Sequence, residues 1–205
     1  MGTCCTNNCS LEPSQDRQRR TLQLVLVINA VMFVVIVGAG LYSRSSALLT
    51  DSLDNLGDAL TYGLSLAAVG GTLAAKARVS IFKGGLILIG AIAVGTQIIY
   101  RILNPVVPIF EMMSGFALIG LIANSICLYL LWRHRDEDIN MSSVWECSRN
   151  DIASNIAVIV AGIGVWATGS GYPDLIVAGI LFVLLFRSAI RVLTSSVSQL
   201  RVAVS

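Results

Sequence analysis

Charged side chains are scarce in this chain. Asp, Glu, Lys and Arg make up 13% of its 205 residues, while 55% are hydrophobic. That balance excludes an ordinary soluble domain and fits an integral membrane protein. The formal net charge is only +2 and no basic run is long, so nucleic acid finds no electrostatic footprint here. Histidine is nearly missing too: His134 alone, in the charged stretch W-R-H-R-D-E-D. No imidazole is therefore available within the apolar blocks for a hydrolytic metal centre, and no nucleophile with a supporting base is evident, so an enzyme is not expected. The first twenty residues contain no apolar core of the kind a signal peptide needs, and none is expected.

What the chain does have is a series of apolar blocks, each about the twenty residues with which a helix crosses about 30 Å of hydrocarbon. They fall near 21–42, 47–73, 79–103, 109–132, 143–168 and 172–193. The connections are short, punctuated by Pro105 and Pro108 in one case and by Gly169, Gly171 and Pro173 in another. The expectation is an all-α membrane protein, a bundle of six transmembrane helices. Residues 1–20 are read as a cytoplasmic tail carrying cysteines, 21–193 as the transmembrane unit and 194–205 as a second short cytoplasmic tail.

Basic residues set the orientation. Arg17, Arg19, Arg20, Lys76, Arg78, Arg133, Arg135, Arg187, Arg191 and Arg201 fall on one side of this arrangement, and only Arg44 and Arg101 on the other. The positive-inside rule then puts both termini in the cytoplasm, of a bacterial inner membrane by expectation. Gly38, Gly40, Gly84, Gly85, Gly115, Gly120, Gly162 and Gly164 are expected to offer small surfaces for close helix packing in lipid.

Against this background, T-D-S-L-D-N-L-G-D (residues 50–58) is anomalous. On a helix, Asp51, Asp54 and Asp58 stand at i, i+3 and i+7 and form one stripe, with Asn55 at its margin. An acid in hydrocarbon costs about 2.5–3.5 kcal/mol on insertion scales, and such residues normally face a bundle interior and mark an ion path. The fifth block carries W-E-C-S-R-N-D, with Cys147 and Asp151 at i and i+4 on one face. At about 1.5 Å per residue, Asp54 and Asp58 lie roughly 12 and 18 Å from one membrane face, and Cys147 and Asp151 roughly 9 and 15 Å from the other. The two antiparallel pairs meet near mid-depth.

Three carboxylates and a thiolate suit a divalent ion. Carboxylates alone favour hard cations, and the thiolate moves the preference toward zinc and softer ions such as cadmium. Protons compete for the same groups, so metal binding and protonation oppose each other.

These paired motifs resemble those of the cation diffusion facilitators. S-S-A-L-L-T-D-S-L-D-N-L-G-D matches the element of the second span, with Asp54 and Asp58 at its ligand positions, and C-S-R-N-D that of the fifth, with Cys147 and Asp151. The resemblance covers roughly 21–195. It implies a carrier that exports zinc, and by extension cadmium or cobalt, in exchange for protons by alternating access, with no resident cofactor. It also implies a homodimer. The family's usual histidines are replaced here by Asp54 and Cys147, and its cytoplasmic C-terminal domain is expected to be lacking, which leaves dimerisation to the membrane helices. Asp51, Asn55 and Asn150 are secondary or exit-path candidates, and Cys4, Cys5 and Cys9 a candidate metal-capture cluster beside the plainer reading of a reduced tail. Cys127 reads as a packing thiol. Lys83, a few residues into the third block, reads either as snorkelling to the interface or as paired with an acid between helices. A non-transporting metal sensor or accessory subunit is the alternative function.

Overall fold

The computed structural model describes residues 16–67, 73–132 and 139–204; at some positions within these, Cys147 among them, the side chain falls outside the description. Six helices account for nearly all of it: α1 (Asp16–Ser43), α2 (Ser46–Ala67), α3 (Leu73–Leu103), α4 (Phe110–Trp132), α5 (Ile139–Thr168) and α6 (Tyr172–Val204). Five contain an apolar stretch long enough to cross a bilayer, namely Arg20–Ser43, Ser80–Leu103, Phe110–Trp132, Ser148–Thr168 and Tyr172–Ser198. The remaining one, α2, is the helix whose apolar run is broken by Asp51, Asp54 and Asp58.

Several helices outrun the apolar blocks. α6 continues as helix to Val204, so most of 194–205 extends the last helix where a tail was expected. α1 likewise starts at Asp16, within the segment read as a tail. α5 starts at Ile139, a turn before the expected boundary. Hydropathy marks where a helix is immersed, and helix propensity carries it further into water.

The turns explain how consecutive helices stay antiparallel. Between α1 and α2 the reversal takes two residues, with Arg44 in the left-handed region (φ 60°) and Ser45 N–H donating to Gly40 O at 3.0 Å. Gly169 (φ 62°) ends α5, where its N–H donates to Val165 O at 2.9 Å; a residue lacking Cβ adopts that conformation without strain. The α3–α4 connection is tied down by Ile109 N–H, which donates to Ser43 O at 3.0 Å.

Packing groups the helices in pairs: α1 with α2, α4 with α5, α3 with α6. Contacts of α1 with α4 and of α2 with α5 close the first two pairs into a four-helix ring, and α3 and α6 lie against it, chiefly on α2. The main core runs through Met32, Ile36, Leu48, Leu53, Met113, Ala117 and Val158, and a smaller cluster of Leu22, Val25, Tyr62, Cys127 and Leu131 fills the ring near the end that bears the termini. Outward faces stay apolar: Val27, Val31, Val34 and Leu41 on α1, Ile156, Val160 and Ile163 on α5. In water such faces would be costly, and in lipid they are the solvated surface.

Candidate metal-binding seam

The polar residues of the ring lie on one seam. On α2 the i, i+3, i+7 spacing turns Asp51, Asp54 and Asp58 the same way, and on α5 Ser148, Asp151 and Asn155 follow the inward stripe. The antiparallel α2–α5 register is fixed at two points. Ser154 Oγ donates to Asp54 Oδ2 at 3.4 Å, and one turn further in, the carboxyls of Asp58 and Asp151 lie within hydrogen-bonding reach of each other. Asp151 is 7% exposed, whereas Asp54 and Asp58 are half-buried. Tyr62, fully buried one turn beyond Asp58 on the same helix, donates its hydroxyl to Asp58 Oδ2 at 2.9 Å. Two acids and a phenol thus hold one another at the centre of the bundle.

Asp51 stands about two turns from Asp58 toward the start of α2 and is 1% exposed, and its Oδ2 has no hydrogen-bond partner among the described residues. Asn55 Oδ1 and Asn155 Oδ1 are likewise unpartnered there, their amide nitrogens donating to Asp51 O at 3.4 Å and Asp151 O at 2.7 Å. Buried oxygens without donors among the described residues thus line the seam from Asp58 toward the start of α2, a chemistry suited to a cation or water.

Not every expected residue joins the site. Asn150 is exposed on the outer surface of α5, about 100° round the helix from Asp151, and is not brought to the seam. The Cys147 side chain lies outside the described residues, as do Cys4, Cys5, Cys9 and His134. Among the described residues no three Cys, His, Asp or Glu side chains converge as a metal-binding group: Asp58 and Asp151 meet, and Asp54 is held a turn away by Ser154.

Three contributors were not foreseen. Tyr62 and Ser154 follow Asp58 and Asp151 by four and three residues, a helical spacing visible in the sequence. The third is Asn124 on α4, buried with its Nδ2 unpartnered among the described residues. Close approaches set the α4–α5 register: a Cβ on Gly120 would collide with Asn155 Oδ1, and one on Gly162 with Ser114 Oγ. One turn along both helices from the Gly120–Asn155 contact, Asn124 comes level with Asp151. Cys127, a turn further, accepts from Asn29 Nδ2 at 3.9 Å, so the packing thiol is also the seam's contact with α1.

At the opposite end of the bundle Asp174, in the first turn of α6 and 2% exposed, caps α2. It accepts from Ser45 Oγ at 2.6 Å, Ser46 N–H at 2.8 Å and Ala47 N–H at 3.1 Å. Orphan amides at a helix start, with the positive end of its dipole, favour a carboxylate there.

Comparison with known proteins follows the same lines. The profile of the cation efflux transmembrane domain matches residues 22–201. The zinc transporter ZitB of Yersinia pestis is 26% identical over 200 residues, covering 91% of this chain, and that of Escherichia coli (strain K12) 27% over 201 residues, covering 92%. In both cases the chain spans 64% of the relative's length.

Proposed function

Because the chain belongs to the cation efflux family, we propose that it carries a zinc-like divalent cation out of the cytoplasm through the α2–α5 seam, in exchange for protons. The observation that best supports this reading is the direct approach of Asp58 and Asp151 inside a bundle whose outer faces suit lipid. Two carboxylates so close repel unless protons or a cation offset their charge; two protons or one divalent ion each leave the pair neutral, and each displaces the other. That is the elementary step of an exchanger. Asp54 adds a third carboxylate one turn outward, and Cys147, a turn from Asp151 on α5, adds the sulfur that inclines the site toward zinc and cadmium, with cobalt as a further cargo.

Asp51 and Asn55 continue the path outward, and Cys4, Cys5 and Cys9 deliver soft metal at the other end. Both termini are cytoplasmic, the membrane is the bacterial inner membrane, and α2 spans it as the sixth span. Two copies pair through their membrane helices. Alternating access opens the seam first to one side and then to the other.

The test is reconstitution in liposomes containing a zinc-sensitive and a pH-sensitive dye. A zinc gradient should drive opposed metal and proton fluxes, and D58N and D151N should each abolish both. Zinc binding without flux would instead identify a sensor, and flux unchanged in D58N would end the reading.

A further inference from the structure

One charged residue of the membrane helices has no role in this scheme. Lys83 lies ten residues into α3, facing α2, and its ammonium donates to Thr61 Oγ1. Its position is set by more than that bond. Along the same antiparallel contact a Cβ on Gly57 would meet Ile87 Cδ1 at 3.5 Å, and one on Gly90 would meet Leu53 Cδ2 at 2.7 Å. Leu53, Gly57 and Thr61 are successive turns of α2, matched in order by Gly90, Ile87 and Lys83 on α3, so Lys83 is held opposite Thr61 by the packing of both helices. Thr61 is itself fixed, its hydroxyl donating to Gly57 O at 2.6 Å. Thr61 follows Asp58 by three residues, on an adjoining part of the α2 surface, so the contact with Thr61 brings the Lys83 ammonium within one helical turn of Asp58. An ionised side chain within a membrane helix is costly unless it meets an opposite charge or water, and a snorkelling lysine would not be turned inward to a threonine.

We infer that Lys83 is a tethered counter-cation of the metal seam, an affinity-setting residue that attracts Asp58 while the carrier is empty and opposes the ion once it is bound. It touches no cargo and acts through Asp58 alone. Its charge lowers the affinity of the seam for a divalent ion, and so speeds release: a carrier must bind weakly enough to let go.

This inference rests on the proposed metal seam, and the experiment separates the two. Zinc chloride is titrated calorimetrically into the full chain in detergent, and zinc flux is measured in liposomes, for wild type, K83Q, K83M, K83R and D58N. K83Q keeps a donor for Thr61 but loses the charge. It should bind zinc about tenfold more tightly, with a lower KM and a lower maximal flux. K83M should do the same, and K83R should return affinity and flux toward wild type. Equal or weaker zinc binding in K83Q, with thermal stability retained, would overturn the inference and make Lys83 a packing residue. If K83Q and K83M fail to fold, the doubly neutral K83M/D58N variant decides: recovered folding supports the pairing, and no recovery overturns it. D58N that binds zinc as wild type does would instead overturn the metal seam itself.

Discussion

At Tyr62 a single hydroxyl holds the orientation of Asp58. Tyr62→Phe removes that donor without opening a cavity, and should cost about 1.5 kcal/mol of stability, the range of a hydrogen bond to a charged partner. A thermal-unfolding assay in detergent checks the stability, and zinc flux in liposomes should show a raised KM, since Asp58 is then free to turn from Asp151. Such neighbours show how far single residues could be read in advance. The shared inward face of Asp54, Asp58 and Asp151 was legible because acids are rare in an apolar helix and a period of 3.6 decides which residues lie together. Asn124 was not, because α4 is apolar all round, and nothing in its own sequence says which side faces protein and which faces lipid. Asn150 misled for the opposite reason: one position from Asp151 in the chain is a quarter turn or more round the helix.

Among elements, the decisive contact is the capping of α2 by Asp174, which joins helices distant in the chain. Asp174→Ala leaves two amides and a serine hydroxyl without their acceptor and should destabilise the fold by about 2 kcal/mol, with Asp174→Asn recovering some of that. A thermal-unfolding comparison of the two variants reads it out. The α4–α5 contact is equally specific. Gly120→Val drives a side chain into Asn155 and should cost about 1–3 kcal/mol through overpacking, seen as a lower unfolding temperature, whereas Gly115→Ala, with nothing within 4 Å of the added carbon, should leave that temperature unchanged. Helix number and order were legible from block length and punctuation. Helix ends were not, since α5 and α6 continue past the apolar residues into segments whose composition alone does not separate helix from coil. The capping by Asp174 was hidden for a different reason: an acid just after a proline at a helix start already has a local explanation.

For the whole molecule, the antiparallel order of the helices puts the α1–α2 and α5–α6 turns at one end and the start of α1 with the end of α6 at the other. With cytoplasmic termini, a cysteine introduced at Ser170 should react with a membrane-impermeant maleimide in intact cells, and one at Ser198 only after the membrane is opened, in a background where the native cysteines are serine. The reverse pattern would invert the topology. The arrangement of helices in the membrane was the least legible level, because lipid-facing and protein-facing surfaces are both apolar and the sequence does not name partners. Only the polar seam distinguished α2 and α5 as neighbours.

The carboxylate that fastens α2 does so at its N-terminal tip, twelve residues from Asp58, an arm of about 18 Å. A rod pinned at one end swings most at the other: a tilt of about 10° about that pivot would carry Asp58 sideways by about 3 Å while Ser46 stayed put, enough to pull its carboxyl away from that of Asp151. Movement of this helix is therefore expected to hinge at its N-terminal tip and to widen toward the end of the bundle where the termini lie.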